Sequence, residues 1–258
     1  MAYALRFASL GSGSGGNALV VQAGEAIVML DCGFSAVETT RRLARLGLQP
    51  DQLSAIVVTH EHDDHIGGVA RFAKRHAVPV WMSHGTWRGL EMMFEGVETH
   101  LIEGYAGFSI GDVQVQPFPV PHDAREPAQF VFGAGAVRLG VLTDTGESTP
   151  HIEAMLKDCN GLVIECNHDT DMLASSNYPP RLRARIASRL GHLDNDAAGH
   201  LLSRVAGPGL RHVIAAHLSE QNNSPDLAKR ALSDVLGCDP DWIGIAHQDA
   251  GFDWRELD

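Results

Sequence analysis

A six-residue segment contains the densest group of potential metal ligands in the chain. It runs from His60 to His65 and reads His-Glu-His-Asp-Asp-His. An apolar run typical of a β-strand precedes it and a predicted helix follows, so we expect a tight loop at a strand end. Residues two apart in extended backbone point the same way, so His60 and His62 can bind one metal ion. Asp64 and His65 come after the turn and can reach a second ion, since imidazole and carboxylate are both good ligands for divalent metals.

Five further potential ligands stand at or just beyond the ends of other apolar runs. They are Asp31, His122, Asp144, Glu165 and His217. In α/β proteins the loops beyond strand ends are where binding sites are assembled. Core packing does not explain why so many strands end in His, Asp or Glu. Turn chemistry remains the alternative interpretation for Asp31, His122 and Asp144.

The rest of the chain consists of short apolar runs typical of strands and of segments with helical periodicity. The predicted strands are 5–10, 18–22, 26–30, 55–59, 78–82, 113–118, 129–133, 137–142, 161–164 and 212–216, and the predicted helices are 35–46, 66–76, 150–157, 180–190, 195–205 and 225–235. Thr149-Pro150 and Ser224-Pro225 each offer a capping side chain followed by proline at the first helical position. Asn195 is expected to cap the helix that follows it. Strands followed by strand–helix alternation predict a layered α/β sandwich, which we expect to be one domain over residues 1–258.

Composition limits the class of protein. The chain has 258 residues, of which 44% are hydrophobic and 20% charged, as in an average globular protein. Its apolar runs are shorter than the roughly 20 residues of a membrane-spanning helix, and its start lacks the basic and apolar parts of a signal peptide. Its four cysteines show no CxxC spacing, and reduced thiols fit a cytoplasmic location, which we expect. The net charge of −12 disfavours a general DNA-binding surface, although bound cations would dominate the local field.

The segment Thr-His-Glu-His-Asp-Asp-His resembles the HxHxDH signature of the metallo-β-lactamase superfamily. Asp31, His122, Asp144 and His217 follow in the order of that superfamily's other motifs. Finer motifs resemble the YycJ (WalJ) family of bacterial metallohydrolases. They are Ser-Leu-Gly-Ser-Gly-Ser-Gly-Gly-Asn near the start, Pro-His-Asp-Ala at 121–124, Thr-Asp-Thr-Gly at 143–146, Glu-Cys-Asn-His-Asp at 165–169, Gly-His-Leu-Asp-Asn at 191–195 and His-Leu-Ser-Glu-Gln-Asn-Asn at 217–223. One departure is Asp194, which stands where the family pattern would have serine.

The resemblance implies a fold, a ligand set and a reaction. The fold is a four-layer αβ/βα sandwich. The first metal would be bound by His60, His62 and His122 and the second by Asp64, His65 and His217, with Asp144 bridging both and Asp31 supporting the site from beneath. A ligand set without cysteine suits Zn²⁺, Mn²⁺ or Fe²⁺. Two such ions suit phosphodiester hydrolysis through a hydroxide that bridges them, with Asp64 and Asp144 in the catalytic centre. The family likeness implies a nucleic-acid substrate and an exonuclease that acts at the 5′ end.

Further residues are candidates for catalysis and substrate binding. His168 and His192 could protonate a leaving group or bind a phosphate, and capping or solvent-facing histidines are the alternative. Glu165 is expected to orient a neighbour. The arginines at 181, 183, 185 and 189 could contact a phosphate backbone, although a solvated helix face explains them as well. Asn223 is a further candidate for substrate binding, with turn chemistry as its alternative.

Two other functions stay open at this point. An ester, thioester or lactone hydrolase could use the same metal site to polarise a carbonyl group. It would need neither the arginines nor His168, and it would want an apolar pocket. A non-enzymatic, metal-stabilised binding protein is the other alternative, but structural metal sites are closed, whereas a bridging Asp144 implies an open position for water.

Overall fold

The computed structural model describes residues 4–258, and their strands form two seven-stranded sheets that pack face to face. The first sheet contains β1 (Leu5–Gly11), β2 (Ala18–Ala23), β3 (Ala26–Leu30), β4 (Ala55–Val57), β5 (Val80–Ser83), β6 (Thr99–Ile102) and β14 (Phe252–Leu257), in the order β14-β1-β2-β3-β4-β5-β6. The second contains β7 (Phe108–Ile110), β8 (Val113–Pro119), β9 (Ala128–Ala134), β10 (Val137–Leu142), β11 (Gly161–Glu165), β12 (His212–Ala216) and β13 (Gly244–Ile245), in the order β13-β12-β11-β10-β9-β8-β7.

Helices cover the outer face of each sheet. They are α1 (Ala36–Arg45), α2 (Asp63–Ile66), α3 (Val69–His76), α4 (His84–Trp87), α5 (Pro150–Leu156), α6 (Thr170–Ser175), α7 (Pro180–Ile186), α8 (Asn195–Val205) and α9 (Pro225–Leu236), with 3₁₀ turns at Pro50–Gln52 and Pro240–Trp242. One outer core joins the first sheet to α1 and α3, and another joins the second sheet to α5, α8 and α9. With the core between the sheets, these make the four layers of the predicted αβ/βα sandwich. Every helix in residues 4–258 is too short or too polar to cross a membrane.

Strand periodicity explains why both faces of each sheet are apolar. In β3, Val28 and Leu30 point into the core between the sheets, whereas Ile27 and Met29 point into the core beneath α1 and α3. Alternate residues of a strand face opposite sides of the sheet, so a sheet covered on both sides needs an unbroken apolar run. The strands therefore read as continuous hydrophobic segments in the sequence.

The direction of the strands places the ligands at one edge of each sheet. Each sheet is antiparallel in one half and parallel in the other, and β3–β6 and β10–β13 are the parallel halves. Parallel strands present all their carboxyl ends at the same edge. Asp31 follows β3, His60 lies beyond β4, and Asp144 lies beyond β10; Glu165 ends β11 and His217 follows β12. The predicted position of these His, Asp and Glu residues at strand ends is confirmed.

The helix predicted over residues 66–76 begins at Val69, as α3, and Gly67 and Gly68 separate it from the short α2, which starts at Asp63 within the predicted loop. A Cβ on Gly68 would lie 1.8 Å from the carbonyl oxygen of Phe34, and one on Gly67 would lie 2.5 Å from that of Asp63. The first turn thus packs directly onto the neighbouring loop. This break allows the ligand loop and the following helix to take different directions.

Several element limits also differ from the sequence expectation. The helix predicted over 180–190 ends at Ile186, because the chain turns back and the His192 N–H donates to the Ile186 carbonyl. Asp194 caps α8, not Asn195; its carboxylate accepts from the Ala197 N–H at 2.8 Å. The caps predicted at 149 and 224 are confirmed. Not predicted at all were the short strands β6, β7, β13 and β14 and the short helices α4 and α6.

Candidate metal centre

The backbone turns sharply where three of the strands deliver their carboxylate or imidazole. Asp31, Asp144 and His217 have φ values of 60°, 52° and 54°, in the left-handed region. This region is unfavourable for most residues with side chains, and aspartate and histidine are among those enriched there. Such strain collects at functional sites. The turns point all three side chains into the space between the two sheet edges.

His60, His62 and His122 form the first ligand group, and their donor atoms lie within 4.8 Å of one another. The His62 Nδ1 atom is 2.9 Å from His60 Nε2 and 3.3 Å from His122 Nε2. The outward nitrogen of His122 donates to the Gly191 carbonyl at 3.1 Å. Burial lowers the pKa of His60 and of His122, so both imidazoles are held neutral. The inward-facing nitrogens of these histidines lie close together, and a cation would fit among them.

Asp64, His65 and His217 form the second ligand group. Asp64 Oδ2 lies 3.5 Å from His65 Nε2 and 3.4 Å from His217 Nε2. The outward Nδ1 atoms of both histidines donate to buried carboxylates, of Asp31 at 2.8 Å and of Glu165 at 3.2 Å. Fixing Nδ1 as the donor leaves Nε2 facing the site, which is how metal-binding histidines are oriented.

Asp144 connects the two groups. Its carboxylate lies within 4.8 Å of nitrogen atoms of His60 and His65 on one side and of His217 and His192 on the other. One of its oxygens, Oδ2, is buried without a hydrogen-bond partner in the described residues, although His65 Nε2 is 3.1 Å away. A buried carboxylate oxygen without a donor is costly, and a cation would satisfy it. The residues present therefore fit a metal centre, and its groups in residues 4–258 include no cysteine.

The electrostatics of the site favour bound positive charge. Burial alone would raise carboxylate pKa values, but nearby imidazoles lower the pKa of Asp64 and Asp144. Those carboxylates in turn overcome burial and raise the pKa of His65 strongly and that of His217 to about 10. A metal ion binds the unprotonated Nε2 atom, so these raised pKa values couple metal affinity to pH.

Thr59 is a supporting residue that sequence reasoning missed. Its hydroxyl donates to the Asp31 carboxylate at 2.9 Å and accepts from His60 Nδ1 at 2.9 Å. Its backbone N–H donates to Asp31 at 2.8 Å. The Asp31 side chain thereby orients His65 directly and His60 through Thr59. A threonine at the end of a strand has no distinctive pattern, so only the contacts identify it.

The serine- and glycine-rich loop before β2 contributes two more residues, which lie in a motif noted in the sequence but had no predicted role. The Ser12 hydroxyl accepts from the His217 N–H at 3.0 Å. The Asn17 amide nitrogen lies 3.3 Å from Asp64 Oδ2, and its backbone N–H donates to the Asp64 carbonyl at 2.7 Å. The loop connects β1 to β2, and it also contacts both Asp64 and His217 of the second ligand group.

The buried Glu165 pairs with the half-buried His192 beside the ligands. His192 Nδ1 donates to Glu165 Oε1 at 2.8 Å, and the same carboxylate accepts from the backbone N–H groups of Thr145 and Leu193. The pKa of Glu165 is lowered to about 2, because the charge and hydrogen bonds of His192 and His217 outweigh burial. The pKa of His192 is raised, because Glu165 and Asp144 outweigh burial.

An open cleft of about 380 Å³ lies over the ligands, and His192 reaches its wall. Its lining residues are Ser14, His62, Asp63, Asp64, Asp144, Asn167, Tyr178, Leu182, Arg185, Ile186, His192, His217, Leu218 and Ser219. A cleft of this size suits a small ligand or one unit of a polymer. Of the four predicted arginines, Arg185 lines it, and its guanidinium is paired with Asp123 at 2.5 Å.

The other predicted residues lie outside this cleft. His168 is buried behind it, next to Asp194, and Asn223 binds the Cys166 carbonyl and Asn195 through its side chain. Arg189 is paired with Glu147, and Arg183 donates to the Ala174 carbonyl. The exposed Arg181 lies one helical turn before Arg185. The structure thus brings together the metal-type ligands, Asp31, Glu165 and His192, but not His168 or Asn223.

We predict that Asp31→Asn lowers metal affinity by about 10- to 100-fold, the usual effect of removing a residue that orients a ligand. Asparagine tolerates the left-handed backbone, so the turn should persist while the charge that fixes His65 is lost. Competition with a chelator measures the affinity. Asp253→Asn, at an exposed ion pair with Arg45, is the matched control. Equal affinity in the two variants would show that Asp31 does not support the site.

The two sheets with outer helices, and the buried His and Asp groups at their shared edge, define a metal-dependent hydrolase of the metallo-β-lactamase fold. The family model for a β-lactamase superfamily domain matches residues 27–218. The chain therefore belongs to the metallo-β-lactamase superfamily, and within it to the YycJ/WalJ branch that its motifs predicted.

Two relatives and one solved structure illustrate the relationship. Exodeoxyribonuclease YycJ of Bacillus anthracis is 35% identical over 238 residues, which cover 90% of this chain and 89% of the relative. Exodeoxyribonuclease WalJ of Streptococcus pneumoniae is 31% identical over 236 residues, covering 90% and 88%. The metallo-β-lactamase fold protein YhfI of Bacillus subtilis superposes with a TM-score of 0.76 at 17% identity, covering 98% of this chain and 99% of YhfI, which is a likeness of fold.

Proposed function

We propose that this protein is a phosphodiesterase that acts on nucleic acid, as an exonuclease from the 5′ end, with two divalent ions drawn from Zn²⁺, Mn²⁺ and Fe²⁺. The observation that carries the proposal is the pair of adjacent ligand groups joined by Asp144. Paired metal sites of this kind suit displacement at phosphorus. The YycJ and WalJ relatives are both named exodeoxyribonucleases, which supports DNA as the substrate.

Each part of the proposed site has a stated role. His60, His62 and His122 would bind the first ion, Asp64, His65 and His217 the second, and Asp144 both. When bound, such ions lower the pKa of a water molecule and neutralise charge on a phosphodiester. Asp31 and Glu165 hold the outer nitrogens of His65 and His217, which keeps the inner nitrogens aimed at the ions.

We assign the role of proton donor to His192. Its Nδ1 is fixed by Glu165, so its Nε2 is the nitrogen left for a ligand in the cleft. Glu165 and Asp144 raise its pKa despite burial, which favours the protonated imidazole, and its side chain is 20% exposed. The leaving group of a nucleic acid is an alkoxide, which needs a proton as it departs. His192 stands where it can supply one.

The arginines of α7 are proposed as contacts to the nucleic-acid backbone, with unequal parts. Arg185 lines the cleft and faces the substrate there. Its guanidinium is also paired with Asp123, so it helps to position the loop that carries His122. Arg181 is exposed one turn away, and we assign it a contact to a phosphate further along the strand. His168 and Asn223 lie behind the cleft, so their proposed part is to support the ligand-bearing loops.

The test is digestion of single-stranded DNA by protein loaded separately with each of the three metals. With a 5′ label, labelled mononucleotides should appear first; with a 3′ label, the strand should shorten one nucleotide at a time. A chelator should stop both. An RNA of the same sequence shows whether the sugar matters. Hydrolysis of a simple acyl thioester, with both strands left intact, would instead establish the carbonyl-hydrolase alternative.

A further inference from the structure

Three apolar side chains on one side of α7 face the metal cleft. Tyr178, Leu182 and Ile186 are spaced four residues apart, and all three line the cleft. Residues four apart lie on the same face of a helix, so Leu182 and Ile186 stand one turn, about 6 Å, apart along the axis. Tyr178 lies just before the helix and extends the row. We call these three residues the α7 wall.

Core packing does not account for the α7 wall. The three side chains are half-buried, yet none belongs to or packs against the hydrophobic cores of residues 4–258. The helix itself has no buried residue. The Tyr178 ring has no aromatic or cationic partner within the described part of the chain. An amphipathic helix normally turns its apolar face to the core, but this one turns it to the ligand cleft.

The α7 wall is held in register with the metal ligands. Arg185 is paired with Asp123, the neighbour of His122, and His192 N–H donates to the Ile186 carbonyl at 2.9 Å. A Cβ on Gly191 would lie 2.2 Å from the carbonyl oxygens of both Arg185 and Ile186, so backbone meets backbone there. The wall therefore has a defined position relative to both His122 and His192.

We propose that the α7 wall binds the nucleobase of the nucleotide whose phosphate lies at the metal ligands, with the base stacked on Tyr178. This inference rests on the proposed nuclease function and adds a subsite to it. A substrate with an anion at the metal-binding residues and a flat apolar group a few ångströms away would match both sides of the cleft. Stacking on a tyrosine does not depend on which base is present, so the subsite predicts little sequence preference.

An acyl chain is the competing occupant of an apolar wall. The wall is only about two helical turns long and ends in an aromatic ring, which suits a planar group better than a long chain. A proton donor at His192 also favours a nucleotide over an acyl thioester. A thiolate departs without being protonated, whereas the alkoxide of a nucleotide needs a proton as it departs. The exposed Arg181 flanks the wall beside Leu182 and complements a polyanion.

The experiment compares two single-stranded DNA substrates that differ only at the attacked end. One has intact terminal nucleotides, and in the other the two terminal nucleotides are abasic. The ratio of their kcat/KM values measures what the base contributes. The wild-type protein should prefer the intact strand at least about fivefold, the lower limit for stacking one base on an aromatic side chain.

In Tyr178→Ala this ratio should fall to about one or two, whereas Tyr178→Phe, which retains the ring, should recover most of it. Trp242→Ala removes an exposed aromatic side chain that does not line the cleft, and it should retain the wild-type ratio. An undiminished ratio in Tyr178→Ala, or a wild-type ratio near one, would overturn the base subsite while leaving the nuclease proposal intact. Failure of the wild-type protein to cut either strand would overturn both.

Discussion

Asp144→Asn should lower hydrolysis of bis-p-nitrophenyl phosphate by about a thousandfold or more. Lewis-acid stabilisation of a phosphoryl transition state amounts to several kcal/mol, and each 1.36 kcal/mol is a factor of ten in rate. Asp144 lies close to His60 of the first ligand group and to His65 and His217 of the second, so its loss should disturb both ions at once. Metal content, measured on the purified variant, should fall together with turnover.

Asparagine is the most informative replacement at this position, because it changes the charge and little else. It has the shape of aspartate and tolerates the φ of 52°, so the backbone and the packing should survive. The variant removes charge without leaving a cavity, and circular dichroism should show an unchanged fold. Asp249→Asn, at a side chain that is 99% exposed, is the matched control and should retain activity. Wild-type turnover by Asp144→Asn would exclude it from the metal centre.

Much of the fold and the grouping of the candidate ligands could be predicted because both leave strong patterns in the sequence. An apolar run that ends in a histidine or aspartate is visible without a structure, and Asp31, His60 and Asp144 each end one. Since parallel strands share an edge, the pattern also predicts that these side chains meet. The structure adds the particular half of each sheet that is parallel, which depends on pairing between distant strands.

The supporting contacts could not be predicted, for physical reasons that differ from case to case. Thr59, Ser12 and Asn17 act through a single hydroxyl or amide, and such residues are common in loops of any function. The break at Gly67-Gly68 depends on the close approach of the Phe34 carbonyl, a contact made far from the helix in sequence. The α8 cap moved by one residue because Asp194, a good capping side chain, precedes Asn195.

The α7 helix shows the same limit in another form. Its arginines drew attention in the sequence, because charge is easy to see, and they suggested a basic face. No role was predicted for Leu182 or Ile186. The structure reverses the emphasis, since Arg185 is committed to Asp123 while Leu182 and Ile186 face the cleft. Which way a helix face points is decided by tertiary packing, which periodicity alone does not report.

His192→Ala should separate substrates by their leaving groups. On single-stranded DNA we expect kcat to fall by about 10²- to 10⁴-fold, the range for loss of a positioned proton donor. On bis-p-nitrophenyl phosphate the loss should be far smaller, because p-nitrophenolate is a stable anion that departs without a proton. Steady-state kinetics on both substrates, with equal metal content confirmed for each preparation, measures the difference.

The comparison distinguishes proton donation from a merely structural role. If His192 served only to hold the Glu165 carboxylate, its loss would disturb His217 through the shared oxygen and slow both substrates alike. Added imidazole should partly restore DNA cleavage by filling the vacated space beside Glu165, and it should do nothing for a variant at the exposed His151. Equal losses on the two substrates would therefore remove His192 from the reaction and leave Glu165 as a support for the second ligand group alone.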